Sequence, residues 1–294
     1  MSITENGPRA RMRILSQLYA RTGKAYVIGV TGPPGAGKST LITELAKRYR
    51  QHQRSVGIVA VDPTSQLTGG ALLGDRIRMG ELASDSMIFI RSMATRGQVG
   101  GIARATEDVV RILDASSMNY IVVETVGAGQ SDVDVKSIAH TTVVVTAPGL
   151  GDEIQALKAG IMEIGDIFVV NKADTADADR SVHEIYSTIT MSEPVNGWRP
   201  RVLKTSALSG EGIDALIEAI EQHAKHMKTS GAQARLRELR LRRDFLEAAR
   251  RYFEDIVLEE LTSTPRFAKL MSEVESGKVD PFTAARRLLE HSRT

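Results

Sequence analysis

The chain has 294 residues, of which 42% are hydrophobic and 25% are charged, a composition typical of globular proteins with a large buried core. A formal net charge of +2 gives no electrostatic argument for nucleic-acid binding, and the absence of cysteine excludes disulfides and thiolate metal sites. No apolar stretch approaches the roughly 20 residues of a membrane span, and residues 1–7 are polar, unlike a secretory signal. We therefore expect a cytoplasmic protein without membrane or nucleic-acid partners.

Residues 8–24 are basic with apolar side chains interspersed, which predicts a short amphipathic helix within an N-terminal extension, residues 1–24. A basic helix on a membrane surface is the alternative, and its small apolar face disfavours it.

A phosphate-binding motif follows this extension. Residues 32–39 fit the P-loop spacing G-x-x-x-x-G-K-[ST], with an apolar run before them and a helix-prone run after them. Backbone N–H groups of such a loop surround a phosphate, and the helix N-terminus adds positive potential. We expect Lys38 to reach the β- and γ-phosphates and the Ser39 hydroxyl to ligate Mg²⁺. The other expected nucleotide contacts in this stretch are Gly35, Ala36, Gly37 and Thr40.

Six further apolar runs alternate with helical stretches, at residues 56–61, 87–90, 120–123, 142–146, 167–170 and 202–204. Most lack period-two alternation, so both faces of the strands are expected to be buried. This pattern predicts an α/β fold of the P-loop NTPase type, with a mostly parallel sheet flanked by helices. Because ligands bind at the carboxyl ends of such strands, the polar residues that follow each strand are the candidates for the site.

Three glycine-rich loops follow strands and are candidate nucleotide-sensing switches. The first comes after Asp62 and contains Asp75; the second covers residues 92–101; the third, residues 148–158, leads into a helix bearing Lys158. Ordinary strand-to-helix loops remain the alternative for each of them.

The strand that ends at Glu124 has glycine three residues on, at Gly127, which matches the Walker-B and switch II position. The carboxylate of Glu124 is expected to orient Mg²⁺ or its waters, and the N–H of Gly127 to contact the γ-phosphate. Many GTPases have aspartate where Glu124 stands. Since no glutamine directly follows Gly127, we expect slow intrinsic hydrolysis.

Asn171, Lys172 and Asp174 form an N-K-x-D motif after a buried strand, which indicates guanine. The Asp174 carboxylate accepts from guanine N1–H and N2–H₂ together, whereas adenine offers neither donor and would leave a buried carboxylate unpaired. We expect Asn171 to hold the loop and the Lys172 stem to lie along the base. The next strand is followed by Ser206, Ala207 and Leu208, and the N–H of Ala207 is expected to meet guanine O6.

A helix over residues 212–227 is expected to close a nucleotide domain of residues 25–228. It carries His223 and His226, which we interpret as surface histidines rather than a metal pair, because no further ligand supports a metal.

Residues 229–294 are predicted to form a C-terminal helical region. A linker at residues 229–233 precedes one long helix, 235–261, and two shorter helices, 265–276 and 281–291, each opened by proline. The apolar surface of the long helix is too broad for one packing seam. This favours an arm used for homodimerisation, with packing inside the chain as the alternative.

These motifs together resemble those of one family, the MeaB/ArgK-type P-loop GTPases, which are chaperones of adenosylcobalamin-dependent acyl-CoA mutases. The resemblance extends from residue 25 to the C-terminus. The strings that carry it are Gly32-Pro-Pro-Gly-Ala-Gly-Lys-Ser-Thr40, Val61-Asp-Pro-Thr-Ser65, Gly69-Gly-Ala-Leu-Leu-Gly-Asp-Arg-Ile-Arg-Met79, Arg91-Ser-Met-Ala-Thr-Arg-Gly97, Glu124-Thr-Val-Gly-Ala-Gly-Gln-Ser131, Gly160-Ile-Met-Glu-Ile-Gly-Asp-Ile-Phe-Val-Val-Asn-Lys-Ala-Asp174 and Thr205-Ser-Ala-Leu-Ser-Gly-Glu-Gly-Ile213.

The resemblance implies a homodimeric GTPase that binds GTP or GDP with Mg²⁺. Its GTP cycle would control the loading of adenosylcobalamin into the mutase and the rescue of damaged enzyme, and the mutase would stimulate its slow turnover. By resemblance, Lys158 couples nucleotide state to the mutase. The phosphate and Mg²⁺ chemistry falls to Lys38, Ser39, Asp62, Asp75 and Glu124.

The chain departs from the family pattern at Gln66, Gln98 and Ala128, in or beside the candidate switches. These departures suggest a subgroup paired with another acyl-CoA mutase, such as an isobutyryl- or hydroxyisobutyryl-CoA mutase. A P-loop kinase acting on a small molecule or a transport protein is the alternative function. A nickel-insertion GTPase is disfavoured, because the chain lacks cysteine and a histidine-rich tract.

Overall fold

A computed structural model describes residues 8–62, 80–82, 84–94, 104–125, 127, 130–149, 161–175, 177–190, 193–254 and 258–290. Seven strands form its sheet: β1 (Tyr26–Thr31), β2 (Val56–Asp62), β3 (Ile88–Ala94), β4 (Tyr120–Glu124), β5 (Thr141–Thr146), β6 (Ile167–Val170) and β7 (Arg201–Lys204). Within these ranges, no helix is both long and apolar enough to cross a bilayer.

Eleven helices accompany the sheet within the described ranges. They are α1 (Pro8–Leu18), α2 (Lys38–Gln51), α3 (Arg104–Ala115), α4 (Gln130–Ile138), α5 (Ile161–Ile164), α6 (Ala178–Thr190), α7 (Ile213–Thr229), α8 (Ala232–Tyr252), α9 (Leu258–Thr262), α10 (Pro265–Glu275) and α11 (Pro281–Glu290). Two 3₁₀ turns, Tyr19–Arg21 and Gly80–Leu82, precede β1 and β3.

The strand order is β3-β2-β4-β1-β5-β6-β7, and every neighbouring pair is parallel. The chain moves outward from β1 to β3, returns to place β4 beside β1, and then builds the other half of the sheet. The loop after β1 therefore leaves the sheet at a topological switch point, where open α/β sheets bind ligands. This confirms the predicted P-loop NTPase fold.

Both faces of the sheet are buried, which explains the missing period-two alternation. On one face, Ile28 and Val122 pack in the same cluster as Leu41 of α2. On the other face, Val27 and Ile121 pack with residues of α3 and α4. Consecutive strand residues point to opposite faces, so a strand covered on both sides has to be apolar throughout.

The connection between α7 and α8 is shorter than the predicted linker of residues 229–233. Helix α7 continues to Thr229 and α8 begins at Ala232, so only Ser230 and Gly231 lie between them. Gly231 has a φ of +71°, and the N–H of Ala232 donates to the Ser230 hydroxyl at 3.4 Å. A two-residue turn with its own hydrogen bond therefore takes the place of the predicted linker.

The long helix predicted for residues 235–261 begins earlier than predicted, because α8 covers Ala232–Tyr252. Helix α9 covers Leu258–Thr262. Residues 255–257 lie outside the described residues, so one continuous helix stays a prediction. The two following helices agree with the prediction. In α10, Thr264 caps the helix by accepting from the N–H of Phe267, and Pro265 occupies the first turn, where its missing N–H costs nothing.

The chain divides into two compact units, Met1–Arg235 and Leu236–Thr294. The first contains the sheet. The second has a small core of its own, formed by Leu270, Ala284 and Leu288. The predicted division into a nucleotide domain and a dimerisation region remains a prediction, because a compact unit does not by itself reveal its function.

His223 lies inside the fold, which corrects its interpretation as a surface histidine. It is 2% exposed, its Nδ1 lies 2.8 Å from Thr141 Oγ1, and its ring packs beside Trp198 with centroids 4.7 Å apart. His226 is half-buried and its Nε2 lies 3.0 Å from the carbonyl oxygen of Asn196. In the part of the chain that the structure describes, no group of three or more potential ligands could hold a metal ion.

The environment of His223 predicts a loss of stability in acid. Burial lowers the pKa of His223, Lys136 and His226 act in the same direction, and the Asp166 carboxylate opposes them. The unfolded chain, with an ordinary pKa near 6.5, therefore takes up the proton first. The contribution of His223 is complete above about pH 6.5 and is lost as the pH falls below it.

Urea unfolding at about pH 7.5 and about pH 5.5 measures this effect, because histidine titrates between these values. On going from the higher to the lower pH, we expect the free energy of unfolding to decrease more for the wild type than for His223→Gln. Equal decreases in the two proteins would show that His223 does not titrate as described.

Candidate nucleotide-binding site

The loop between β1 and α2 has the backbone that the P-loop motif predicts. Gly32 has a φ of +133°, and a Cβ on it would overlap the carbonyl oxygen of Val145. Only glycine fits this position. The Lys38 ammonium lies over the loop and donates to the carbonyl oxygens of Gly32, at 2.7 Å, and Pro33, at 3.1 Å. The loop thus holds its lysine at the helix N-terminus, where a phosphate would bind.

Ser39 and Glu124 meet beside this loop. Ser39 is the second residue of α2, and Glu124 ends β4 opposite Val30 of β1. The Ser39 hydroxyl donates to Glu124 Oε1 at 2.8 Å, and both residues are less than 9% exposed. Residues 85 positions apart in the chain are therefore brought together by the pairing of β1 with β4.

Gly127 lies against the same loop. Its φ is +88°, and a Cβ on it would overlap the Gly32 carbonyl oxygen and lie 2.8 Å from Lys38 Nζ. The chain after β4 therefore returns to the phosphate side of the site. Gly127 thus lies next to the P-loop, and its predicted contact with a γ-phosphate stays a prediction.

Asn171 joins three loops through its side-chain amide. Its Nδ2 donates to the carbonyl oxygen of Ala36 at 2.9 Å. Its Oδ1 accepts from the Thr205 hydroxyl and from the N–H of Ala207, both at 3.1 Å. Asn171 is 2% exposed, so these bonds are protected from water and strengthened by the low local dielectric.

Asp174 lies three residues after Asn171, on the solvent-exposed side of the same loop. The Ser206 hydroxyl donates to Asp174 Oδ1 at 3.0 Å, which orients the carboxylate. Asp174 is exposed rather than buried, so it reaches outward from the loop. Lys172 is exposed with a φ of +57°, and Leu208 is 92% exposed. These residues lie at the carboxyl ends of β6 and β7.

The structure thus brings together, at one edge of the sheet, most of the residues predicted for the site. Thr40 lies in the first turn of α2, one residue after Ser39. Asp75 and Lys158 lie outside the described residues, as do the side chain of Asp62 and most of the three candidate switch loops. Their roles remain predictions.

Two contributions to the site were missed by sequence reasoning. Thr205 supports Asn171, as described above, and its place directly after β7 was an available signal. Thr125 donates through its hydroxyl to Thr31 Oγ1 at 2.9 Å, and its N–H donates to the Val30 carbonyl oxygen at 3.0 Å. These buried bonds fix Thr125, the residue after Glu124, against the end of β1.

The family described as the methylmalonyl Co-A mutase-associated GTPase MeaB matches residues 3–264. The chain belongs to the MeaB family. A MeaB-family chain with this site is a P-loop GTPase, and it binds guanine nucleotides. The family resemblance drawn from the sequence is therefore confirmed.

Individual MeaB relatives agree with this assignment. A Pyrococcus horikoshii protein named as a putative GTPase is 44% identical over 294 residues, which cover 99% of this chain and 92% of the relative. A Caenorhabditis elegans protein named methylmalonic aciduria type A homolog, mitochondrial, is 30% identical over 280 residues, covering 92% of this chain and 69% of the relative.

A solved structure has the same architecture. The crystal structure of an LAO/AO transport system kinase superimposes with a TM-score of 0.68 at 25% identity, covering 99% of this chain and 90% of that chain. That protein is named a kinase, and a kinase is the alternative function that the sequence left open.

Proposed function

We propose that this protein is a GTP-dependent chaperone of an adenosylcobalamin-dependent acyl-CoA mutase, which gates cofactor loading and supports reactivation of the damaged enzyme. The observation that carries the proposal is the family match over residues 3–264, whose description names a mutase-associated GTPase. The guanine-reading loop, braced to the P-loop by Asn171, supplies the nucleotide dependence that such a chaperone needs.

In this proposal the base is read by the loops after β6 and β7. The Asp174 carboxylate, oriented by Ser206, accepts from guanine N1–H and N2–H₂. The exposed Lys172 stem and Leu208 offer apolar surface to the faces and edge of the purine. A bound base would cover these side chains, so the exposed carboxylate would be desolvated on binding and would favour the purine that satisfies it.

The residues beside the P-loop fit Mg²⁺. The Ser39 hydroxyl and Glu124 carboxylate lie 2.8 Å apart, and both are oxygen donors of the kind that Mg²⁺ prefers. We propose that Ser39 holds the ion and Glu124 holds it or its waters, with Asp62 and Asp75 as further candidates from the sequence. When bound, the ion neutralises charge on the β- and γ-phosphates. Lys38 contributes a fixed positive charge on the other side of the phosphates.

We also propose that the protein acts as a homodimer through its C-terminal helices. Helix α8 exposes large apolar side chains: Leu239 is 65% exposed, Phe245 73%, Leu246 60% and Tyr252 55%. An exposed apolar surface of this kind marks an interaction site, and a second copy of the chain is the occupant that the broad apolar face of α8 favours.

Partner-stimulated turnover tests the proposed function. GTP hydrolysis would be measured with the protein alone and with each of several acyl-CoA mutases, including methylmalonyl- and isobutyryl-CoA mutase. We expect slow turnover alone and a stimulation of at least about 100-fold by one mutase, since a residue supplied in trans to the γ-phosphate is worth about 10³–10⁵ in rate.

The same assay separates the alternatives. Release of inorganic phosphate supports hydrolysis, whereas transfer of the γ-phosphate to an added small molecule or transport protein supports a kinase. A protein that turns over GTP many times per second alone, with no response to any mutase or to adenosylcobalamin loading, would contradict the chaperone proposal.

A further inference from the structure

A second polar cluster lies at the opposite edge of the sheet, where β5 and β6 begin. Lys136 Nζ lies 2.7 Å from Asp166 Oδ1 and donates to the Ile164 carbonyl oxygen at 3.0 Å. Asp166 Oδ2 accepts from the N–H of Thr142 at 2.8 Å. Only 12% of the Asp166 side chain is exposed, so Lys136 makes a charge-assisted contact that is partly shielded from water.

In the proposed function, the pair connects two elements that serve different ends of the nucleotide. Lys136 lies on α4, which starts three residues after Gly127, the residue proposed to contact the γ-phosphate. Asp166 immediately precedes β6, whose four residues lead directly to Asn171 and the guanine-reading loop. A strand of four residues spans only about 13 Å, so Asp166 is one short strand away from the base.

Helix α4 is packed closely against the strand that carries the P-loop. Val135 of α4 is fully buried, and a Cβ on Gly29 of β1 would contact Val135 Cγ2 at 2.6 Å. Val135 and Ile138 already bury the apolar face of α4. The Lys136 contacts are therefore not needed to cover that face, and what they add is a fixed position of α4 relative to β6.

We propose that Lys136 is a positioning residue that couples the γ-phosphate side of the site to the guanine-reading strand through Asp166. A displacement of α4 that accompanies triphosphate binding is transmitted through this pair to the start of β6. The inference rests on the guanine-nucleotide cycle of the proposed function and does not require the mutase.

The chain contains its own probe of this cluster. Trp198 is the single tryptophan of the sequence, and its Nε1 donates to the Asp166 carbonyl oxygen at 2.9 Å. The ring also packs beside His223 and lies 5.8 Å from the Arg201 guanidinium carbon. A shift of Asp166 changes the hydrogen bond and the surroundings of the indole, and hence its fluorescence emission.

The experiment compares Trp198 emission with Mg²⁺–GDP and with a non-hydrolysable GTP analogue, in the wild type and in Lys136→Met. We expect the emission to differ between the two nucleotides in the wild type. In Lys136→Met at least about half of that difference should be lost, with both nucleotides still bound within about threefold of the wild-type affinity, because Lys136 lies away from the loops proposed to hold the nucleotide. Lys136→Arg should restore it.

Lys204→Met is the matched control. Lys204 makes a similar lysine–aspartate pair with Asp179 at 2.8 Å, but it joins β7 to α6. We expect it to keep the wild-type difference in emission. Lys136→Met leaves the Asp166 carboxylate without its lysine partner, and this variant could therefore unfold. In that case the double variant Lys136→Met with Asp166→Asn, which removes both charges, is used instead. We expect it to lose the same share of the difference in Trp198 emission.

Three results would overturn the inference. The first is a wild type whose Trp198 emission is the same with both nucleotides, and the second is a folded Lys136→Met that keeps the full difference. The third is a loss of binding of both nucleotides in Lys136→Met and in the double variant alike, which would show that Lys136 only holds the fold. Stimulation by a mutase is measured separately, so failure of the chaperone proposal leaves this test intact.

Discussion

Asp174→Asn is expected to weaken the binding of GTP and GDP by about 2–5 kcal/mol, the usual cost of spoiling a desolvated charged hydrogen bond. In the proposed function the carboxylate, held by Ser206 at 3.0 Å, would accept two donors from the guanine edge. An asparagine amide presents one acceptor and one donor there, and its N–H₂ would face the guanine 2-amino group. Xanthine has a carbonyl at that position, so the variant should bind xanthosine triphosphate more tightly than GTP.

Isothermal titration with GTP, GDP, ATP and xanthosine triphosphate measures the change in base preference. Asp177→Asn is the matched control, because it removes another exposed carboxylate three residues away and should leave all affinities within about twofold. If the two variants lost GDP affinity to the same small extent, Asp174 would not read the base. Equal affinity of the wild type for GTP and ATP would contradict the assignment more directly.

Gly127→Ala is expected to reduce GTP hydrolysis by about 100-fold, since a misplacement of about 1 Å at a reacting centre has effects of this size. A Cβ would overlap the Gly32 carbonyl oxygen and crowd Lys38 Nζ, and alanine is also strained at a φ of +88°. The chain after β4 would have to move away from the P-loop, and the N–H of residue 127 with it.

The expected loss is selective for the triphosphate. Single-turnover hydrolysis and the affinities for GDP and a GTP analogue would be compared between Gly127→Ala and the wild type. We expect GDP affinity to change little, because the proposed partner of the residue-127 N–H is the γ-phosphate, which GDP lacks. A variant that hydrolyses GTP at the wild-type rate, or that loses GDP and the GTP analogue equally, would place Gly127 outside γ-phosphate recognition.

The strands and the residues after them could be predicted because the fold is built from local signals. Apolar runs buried on both faces predicted the strands, and parallel pairing placed the residues after β1, β4, β6 and β7 at one edge. Motif spacing together with strand context pointed to Lys38, Ser39, Glu124 and Asn171, since each belongs to a short motif at the end of a strand or just after it.

Other features depended on contacts between distant parts of the chain. Buried His223 contacts Thr141, which is 82 residues away in the chain. The Lys136–Asp166 pair likewise joins residues 30 positions apart. Two histidines on a helix carry no local sign of which one faces the sheet. The exposure of Asp174 was likewise not predicted, because the motif defines what the carboxylate recognises and not how deeply its loop lies.

The division of roles between Asn171 and Asp174 has a consequence for how specificity can evolve. Asn171 is engaged with Ala36, Thr205 and Ala207, so altering it would disturb the architecture of three loops at once. Asp174 is exposed and bonded to one hydroxyl, so its exchange leaves that architecture in place. Purine preference, which we propose Asp174 sets, would then be a modular trait of this protein, open to mutation and selection at a single codon without loss of the scaffold.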